Sequence, residues 1–152
     1  MKLTLIVAAL LVGCLLAFSG CSSRRPIEGV WEFVSSTYTT PDTTIIHDQS
    51  DWKAIKTITR SHFSTVGQAM DRPVFGGSIT DADLVIAYNT SSANGGKYTI
   101  DNRTYTENLS FFTNPNRVGT SARLNYEIKG DSLVLYTVAG DVTWREVWRK
   151  LE

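Results

Sequence analysis

The chain has 152 residues, a length that suits one domain with a hydrophobic core of its own. Its 15 basic residues balance its 15 acidic residues, so it has neither the basic excess of a nucleic-acid-binding protein nor the acidic excess of a disordered one. Aromatic residues make up 11% of the chain and threonine is frequent, and both residue types favour β-strands.

The first twenty residues have the pattern of a secretory signal peptide. Lys2 supplies a positive charge, and the apolar run "LTLIVAALLVGCLLAF" is too short and wrongly flanked for a stable membrane span. The next letters, "FSGC" ending at Cys21, resemble the bacterial lipobox, in which cleavage precedes a cysteine that is then diacylated. "LVGC", ending at Cys14, also fits this box but would leave "LLAFSG" on the mature chain, so we expect lipidation at Cys21.

The lipobox resemblance implies a signal peptide over 1–20, a lipidated tether over 21–27 and a folded domain over 28–152. Because Cys14 is then removed and Cys21 acylated, we expect no disulfide; the alternative is a secreted protein with one free thiol. More than one acyl chain anchors a protein stably to a membrane. By resemblance to the sorting rule of enteric bacteria, Ser22 implies the outer membrane, so we expect an envelope protein held by its lipid.

Eight stretches of the remaining chain alternate or cluster apolar and β-favouring residues and are separated by turn signals. We predict an all-β fold, an eight-stranded antiparallel up-and-down barrel, with residues 40–51 as a loop. A barrel of this size is wide enough for side chains or for one small ligand. The predicted strands are 29–38, 52–59, 62–68, 96–100, 103–112, 122–129, 132–139 and 143–151.

Residues 69–92 break the strand rhythm and are predicted to form a loop or short-helix insert. Thr80 with Asp83 three residues later fits a capping box, and Leu84, Val85 and Tyr88 then share one helix face. A strand is the alternative, because Val85 and Ile86 are β-branched. Connections of this length are often lids or binding loops, although a surface loop without function is equally compatible with the sequence.

Two hairpins have turn residues that set a strand register. Asn, Asp and Gly tolerate the positive φ of tight hairpin turns, so 101–102 and 130–131 are predicted as two-residue turns. The resulting cross-strand partners are Tyr98 with Tyr105, and Tyr126 with Leu135. One row of the first hairpin then faces the barrel interior: Tyr98, Ile100, Tyr105, Glu107, Leu109 and Phe111.

Glu107 is the acidic member of this otherwise apolar row. A buried carboxylate without a partner is costly, so it needs a donor, a water-filled pocket or a place at the rim. It is either a structural group bonded to a tyrosine hydroxyl or a polar group that orients a ligand. The candidate donors are Tyr98, Tyr126, Arg123, Arg145 and a ligand cation.

Gly29-x-Trp31 on the first strand resembles the signature that opens the lipocalins and the wider calycin group. Together with "SHFSTV", "GGKYTIDNRTYTE", "YEIKGDSL" and "EVWRKL", it resembles the bacterial lipocalin-like domains of unassigned function. The resemblance implies that Trp31 closes the barrel base under a basic residue, for which Arg149 and Lys150 are candidates. It also implies a small apolar or amphipathic ligand. The residues that we expect to line its site are Tyr98, Tyr105, Glu107, Phe111 and Tyr126.

The sequence favours binding over catalysis. His47 and His62 are the only histidines and have no zinc-site spacing, and no Gly-x-Ser-x-Gly elbow or phosphate loop is present, so we expect no metal and no cofactor. An enzyme would need an acid–base pair such as Glu107 with His62. Neutral charge and export argue against a nucleic-acid partner. The alternative function is a solid barrel whose loops or insert bind an envelope protein or a glycan.

Overall fold

The computed structural model describes residues 25–152, so the predicted signal peptide and the lipidation site Cys21 lie outside the described residues. Those that are described form one antiparallel sheet of nine strands, one α-helix and one short 3-10 turn at Pro115–Arg117. In chain order the elements are β1 Gly29–Thr39, β2 Thr44–Asp48, β3 Trp52–Ile58, β4 His62–Ala69, α1 Asp81–Asn89, β5 Ser91–Asp101, β6 Thr104–Phe112, β7 Ser121–Lys129, β8 Ser132–Ala139 and β9 Val142–Lys150.

The predicted eight-stranded antiparallel barrel is confirmed. The first half of β1 pairs with β3, and β1 also pairs with β9, which closes the sheet through β3 to β9 in sequence order. The second half of β1 also pairs with β2, from Ser35↔Asp48 to Thr39↔Thr44. This strand is additional to the eight that form the barrel. The prediction of a loop over 40–51 is therefore wrong. All residues of β2 are exposed, so this strand has no alternation of apolar and polar residues by which to recognise it.

One end of the barrel, which we call the base, is filled with side chains. It carries the start of β1 and the turns between β3 and β4, β5 and β6, and β7 and β8. Trp31 is fully buried there, and its Nε1 donates to the Ile27 carbonyl at 2.9 Å. Its buried neighbours in the core are Ile27, Ile58, Phe63, Tyr98, Tyr105, Leu133, Leu135 and Trp148.

The basic residue over Trp31 is Lys150, whose Nζ lies 5.3 Å from the indole centroid. The other candidate, Arg149, points to the outside of the sheet and pairs with Glu32, so its expected role in barrel closure is wrong. A Cβ on Gly29 would collide with the carbonyl oxygen of Glu152, which explains the glycine at the start of β1. The base is thus closed by Gly29, Trp31 and Lys150.

The predicted strand register is correct for one hairpin and displaced in the other. In β7–β8 the predicted partners Tyr126↔Leu135 are confirmed. In β5–β6, Tyr98 faces Glu107 instead of Tyr105, because the turn is centred on 102–103, where Asn102 has a φ of +53°. A shift of two residues leaves every side chain on its face, so Tyr98, Tyr105 and Glu107 still point inward.

A β-bulge near the end of β6 reverses which side chains of that strand face the barrel interior. Gly96 pairs with Leu109 and Gly95 with Phe111, so Ser110 is an extra residue in β6. Phe111 is consequently 74% exposed on the outside, and Phe112 takes the inward position. The prediction that Phe111 faces the interior is wrong for this reason.

The insert contains the predicted helix, α1. The Thr80 nitrogen donates to Asp83 Oδ2 at 2.9 Å and the Asp83 nitrogen donates to Thr80 Oγ1 at 3.3 Å, which is the predicted capping box. No residue of α1 is buried, and its apolar side chains face solvent. Within residues 25–152 no helix is long and apolar enough to cross a membrane.

Candidate functional site

The opposite end of the barrel, which we call the mouth, contains an open cavity of about 750 Å³. The mouth carries β2, the insert with α1, the 3-10 turn and the turn between β8 and β9. This volume lies in the range of small-molecule sites, which are mostly apolar with a few placed polar groups. The apolar wall consists of Phe33, Trp52, Ala54, Leu109, Phe112, Leu124, Trp144 and Trp148.

A buried ion pair lies at the floor of this cavity. Lys56 Nζ donates to Glu107 Oε1 at 2.6 Å, and the two side chains are 4% and 8% exposed. The partner of Glu107 is thus Lys56 and none of the protein donors predicted from the sequence. Lys56 is inward because β3 alternates, with Ala54 and Ile58 buried on either side of it. The alternation in "WKAIKTI" could therefore have predicted that Lys56 points inward.

Three aromatic rings surround the Lys56 ammonium. Its Nζ lies 5.4 Å from the Trp148 ring centroid, 5.5 Å from that of Phe63 and 5.9 Å from that of Tyr105. Rings at this distance attract a cation through their quadrupole. They therefore offset part of the desolvation cost of a buried charge and hold the pair at the boundary between the filled base and the cavity.

Glu146 on β9 adds a second carboxyl group to the floor. Its Oε2 accepts a hydrogen bond from Trp148 Nε1 at 3.0 Å. Although Glu146 is partly exposed, it faces the cavity instead of bulk solvent, and burial raises the pKa of its carboxyl group. Lys56 and the Trp148 hydrogen bond act against this rise, and the Glu107 charge adds to it. We did not predict Glu146, although the inward alternation Trp144–Glu146–Trp148 could have indicated it.

Of the five residues predicted to line a ligand site, only Glu107 lines the cavity. Tyr98 is buried in the base, where its hydroxyl donates to the Thr59 carbonyl at 2.7 Å. Tyr126 is partly buried against the core. Tyr105 is fully buried, and burial, together with the nearby Glu107 charge, raises the pKa of its phenol. Its hydroxyl has no hydrogen-bond partner among the described residues.

Two further buried polar atoms in the cavity wall have no partner in the part of the chain that is described: Thr65 Oγ1 and Asn94 Oδ1. Thr65 pairs with Lys56 across β3–β4 and with Asn94 across β4–β5, so the three form one row on neighbouring strands. Buried polar atoms are normally hydrogen-bonded, and one left unpaired costs about 1–3 kcal/mol. This row is where a bound molecule would gain hydrogen bonds.

The rim of the cavity carries exposed charged groups. Arg117 lies 5.6 Å from the ring centroid of Phe112, and His47 Nδ1 is 2.6 Å from Asp51 Oδ2. His62 is exposed on the outer surface, where its Nδ1 contacts Ser61 Oγ, so it makes no acid–base pair with Glu107. Within residues 25–152, no three His, Cys, Asp or Glu side chains are grouped so that they could hold a metal ion.

No family model matches the chain, and no curated protein matches it. Among solved structures it is similar to an uncharacterized protein from Bacteroides eggerthii, known from a crystal structure at 2.60 Å resolution, with 11% sequence identity and a TM-score of 0.44. The match covers 81% of this chain and 98% of that one. At this low similarity the neighbour adds nothing on function, and the strand pairing itself establishes an eight-stranded antiparallel barrel.

Proposed function

We propose that this chain is a lipid-anchored envelope protein whose lipocalin-like barrel binds a small amphipathic molecule in the mouth cavity. The observation that carries the proposal is the cavity of about 750 Å³, apolar along its walls and polar at its floor. Trp31 and Lys150 seal the opposite end, which gives the ligand a single opening. Sealing of the base by these residues also agrees with the lipocalin-like pattern of the sequence.

The polar floor favours an amphipathic ligand over a purely apolar one. A hydrocarbon would cover Glu146, Thr65 and Asn94 without giving any of them a further hydrogen bond, and burying unpaired polar groups is unfavourable. A ligand with one polar end would bond at the floor and leave its apolar part against Trp52, Leu124 and Trp144. The binding energy then comes from the apolar wall, and the orientation comes from the floor.

The test is a titration with the neutral fluorescent probe N-phenyl-1-naphthylamine, whose emission rises in an apolar site. Ala122 lines the cavity, whereas Ala93 lies exposed on the outer surface. Ala122→Trp should fill the cavity and weaken binding of the probe at least about tenfold, a loss of about 1.4 kcal/mol. Ala93→Trp, the matched control, should leave it unchanged. No binding by the wild type, or equal binding by both variants, would contradict the proposal.

The envelope location has a separate test. Cys21→Ser should abolish incorporation of labelled palmitate and release the protein from the membrane fraction. In the proposed arrangement Ser22 directs the protein to the outer membrane, so fractionation should recover the wild type there. Palmitate-free wild-type protein in the soluble fraction would contradict lipid anchoring without affecting the proposed cavity.

The second candidate function is docking of a protein partner through the insert. The helix α1 presents Leu84, Val85, Ile86 and Tyr88 to solvent, each between 42% and 59% exposed. A mainly aliphatic surface of this kind suits a protein partner better than a glycan, for which stacked aromatic rings are expected. Replacing Leu84 and Val85 by Ser should abolish crosslinking to an envelope protein while probe binding persists. Unchanged crosslinking would exclude docking through α1.

A further inference from the structure

We infer that the cavity selects a ligand with one protonated amine, bound by the Glu146 carboxylate at the floor, with an apolar body packed against the tryptophans of the wall. This inference rests on the proposed function and specifies its ligand class. It also specifies the orientation: the ammonium end enters first and the apolar end lies toward the mouth.

The charges at the floor do not balance. Among the described residues, Lys56 from β3 is the one cation at the floor, and it is paired with Glu107 from β6. Glu146 from β9 lies beyond salt-bridge distance of Lys56 and forms no ion pair with any described basic side chain. Burial raises the pKa of this carboxyl group, in line with a site that lacks one positive charge. A ligand ammonium supplies that charge.

The unpaired hydrogen-bonding groups of the cavity, at its floor and in the adjoining wall, are largely acceptors. Among the described residues Glu146 bonds only to Trp148, through Oε2, which leaves Oε1 for a ligand. Asn94 Oδ1 also lacks a donor, and so does Thr65 Oγ1, which can accept as well as donate. An ammonium group has three donors and no acceptor, so it matches this set, whereas a carboxylate ligand would add acceptors and a like charge.

The aromatic wall suits a cation at the same place. Trp144 and Trp148 flank Glu146 on β9, and Trp52 and Phe33 also line the cavity. The rings around Lys56 already show that this interior holds an ammonium with one carboxylate and several aromatic neighbours. A ligand amine beside Glu146 would repeat that arrangement on the cavity side of the ion pair.

The rim restricts the ligand to a single amine. Arg117 lines the opening, where solvent and salt screen it from the floor. It therefore affects a charge at the floor weakly, but the far end of an elongated diamine would lie beside it. A monoamine with an apolar or neutral far end avoids this repulsion.

The experiment compares four ligands of one chain length: n-octylamine, octan-1-ol, octanoate and 1,8-diaminooctane. Binding is followed at pH 7 by the fluorescence of the wall tryptophans. Octylamine should bind at least about tenfold more tightly than octanol, and octanoate and the diamine should bind more weakly than octylamine. Glu146→Gln should abolish the preference for octylamine, so that octylamine and octanol bind to this variant with similar affinity. Glu127→Gln, which removes an exposed carboxylate paired with Lys129, should change neither.

The outcomes separate this inference from the proposed function. Equal binding of octylamine and octanol, or an unchanged amine preference in Glu146→Gln, overturns the inference while the cavity remains a binding site. Failure of all four ligands to bind overturns both. Octanoate binding more tightly than octylamine also overturns the inference, because it would assign the floor to an anion.

Discussion

At the scale of single residues, Lys56 and Glu107 differ from the other ion pairs in burial. The pairs Glu127–Lys129 and Glu32–Arg149 are partly or largely exposed, where an ion pair contributes between zero and about 1 kcal/mol. In the buried pair each charge compensates the desolvation of the other, so neither can be removed alone without a large penalty.

Lys56→Met should therefore lower the free energy of unfolding by about 3–5 kcal/mol, because it leaves the Glu107 carboxylate buried without its partner. The double variant Lys56→Met with Glu107→Leu should recover most of this loss. Urea unfolding measures the stability of both variants. The control is Lys129→Ala, at an exposed ion pair, which should lower the free energy of unfolding by less than about 1 kcal/mol. A Lys56→Met variant as stable as the control would disprove the structural role of the pair.

Glu146 should make the stability of the barrel depend on pH. Its folded pKa is raised above 4.5, its ordinary value, so between these two pKa values the native state holds a proton that the unfolded state has lost. Stability should fall as the pH rises from 4.5 through the folded pKa and should then stay level. Lys56 and Glu107 line the same floor, and the buried Tyr105 lies next to Lys56, so the comparison must isolate Glu146.

Glu146→Gln isolates it, because glutamine has the shape of the protonated acid and cannot ionise. The difference in the free energy of unfolding between this variant and the wild type should be small below pH 4.5 and should grow in favour of the variant above it. Denaturant unfolding at a series of pH values measures the difference. Parallel curves for the two proteins would show that the pKa of Glu146 is the same in both states.

The alternation of residues in one strand was enough to place Glu107 inside, but not to identify its partner. Lys56 is 51 residues away and meets Glu107 across the barrel interior, a contact that no hairpin register specifies. Glu146 was missed for a similar reason: it comes to the same floor from the last strand, through closure of β1 on β9. The floor is a property of the closed barrel, and a sequence read strand by strand contains only its separate parts.

At the scale of elements, prediction succeeded where side chains alone determine the local structure. The capping box of Thr80 and Asp83 and the turn at 130–131 depend on neighbouring residues and are present as predicted. The β5–β6 turn is displaced because Asn102 takes the first central position, with positive φ. The bulge at Gly96 also escaped prediction, because two adjacent glycines do not show which of them allows a close approach of the backbone.

Gly96 is the residue that permits this bulge. A Cβ there would collide with the Asn108 carbonyl oxygen on the neighbouring strand, so Gly96→Ala should lower the free energy of unfolding by about 1–3 kcal/mol. Gly76 is the matched control and should tolerate Ala, because a Cβ there would meet no atom within 4 Å and the residue has no positive φ. Thermal and urea unfolding measure both. If Gly96→Ala is as stable as Gly76→Ala, β6 accommodates the methyl group by losing its bulge, and Phe111 would return to the interior.

At the scale of the whole molecule, the two ends of the barrel differ, because the base is filled with side chains and the mouth contains the cavity. The described chain begins at the base, beside Trp31, while α1 and the cavity opening lie at the other end. A lipid on Cys21 would therefore hold the base close to the membrane, and the mouth would open away from it. This polarity suits a protein that exchanges its ligand with an aqueous compartment or with a partner docked on α1.

A pair of matched variants tests this orientation. Asp131 and Asp141 are exposed turn residues at opposite ends of β8, whose eight residues span about 25 Å. Asp131→Cys and Asp141→Cys, each labelled with one fluorophore in the lipidated protein, are reconstituted in vesicles that contain a headgroup spin-labelled lipid. The label at 131 should be quenched more strongly than that at 141, because only the base lies near the bilayer. Stronger quenching at 141 would place the mouth against the membrane and favour ligand exchange with lipid, whereas equal quenching would mean that the tether leaves the barrel unoriented.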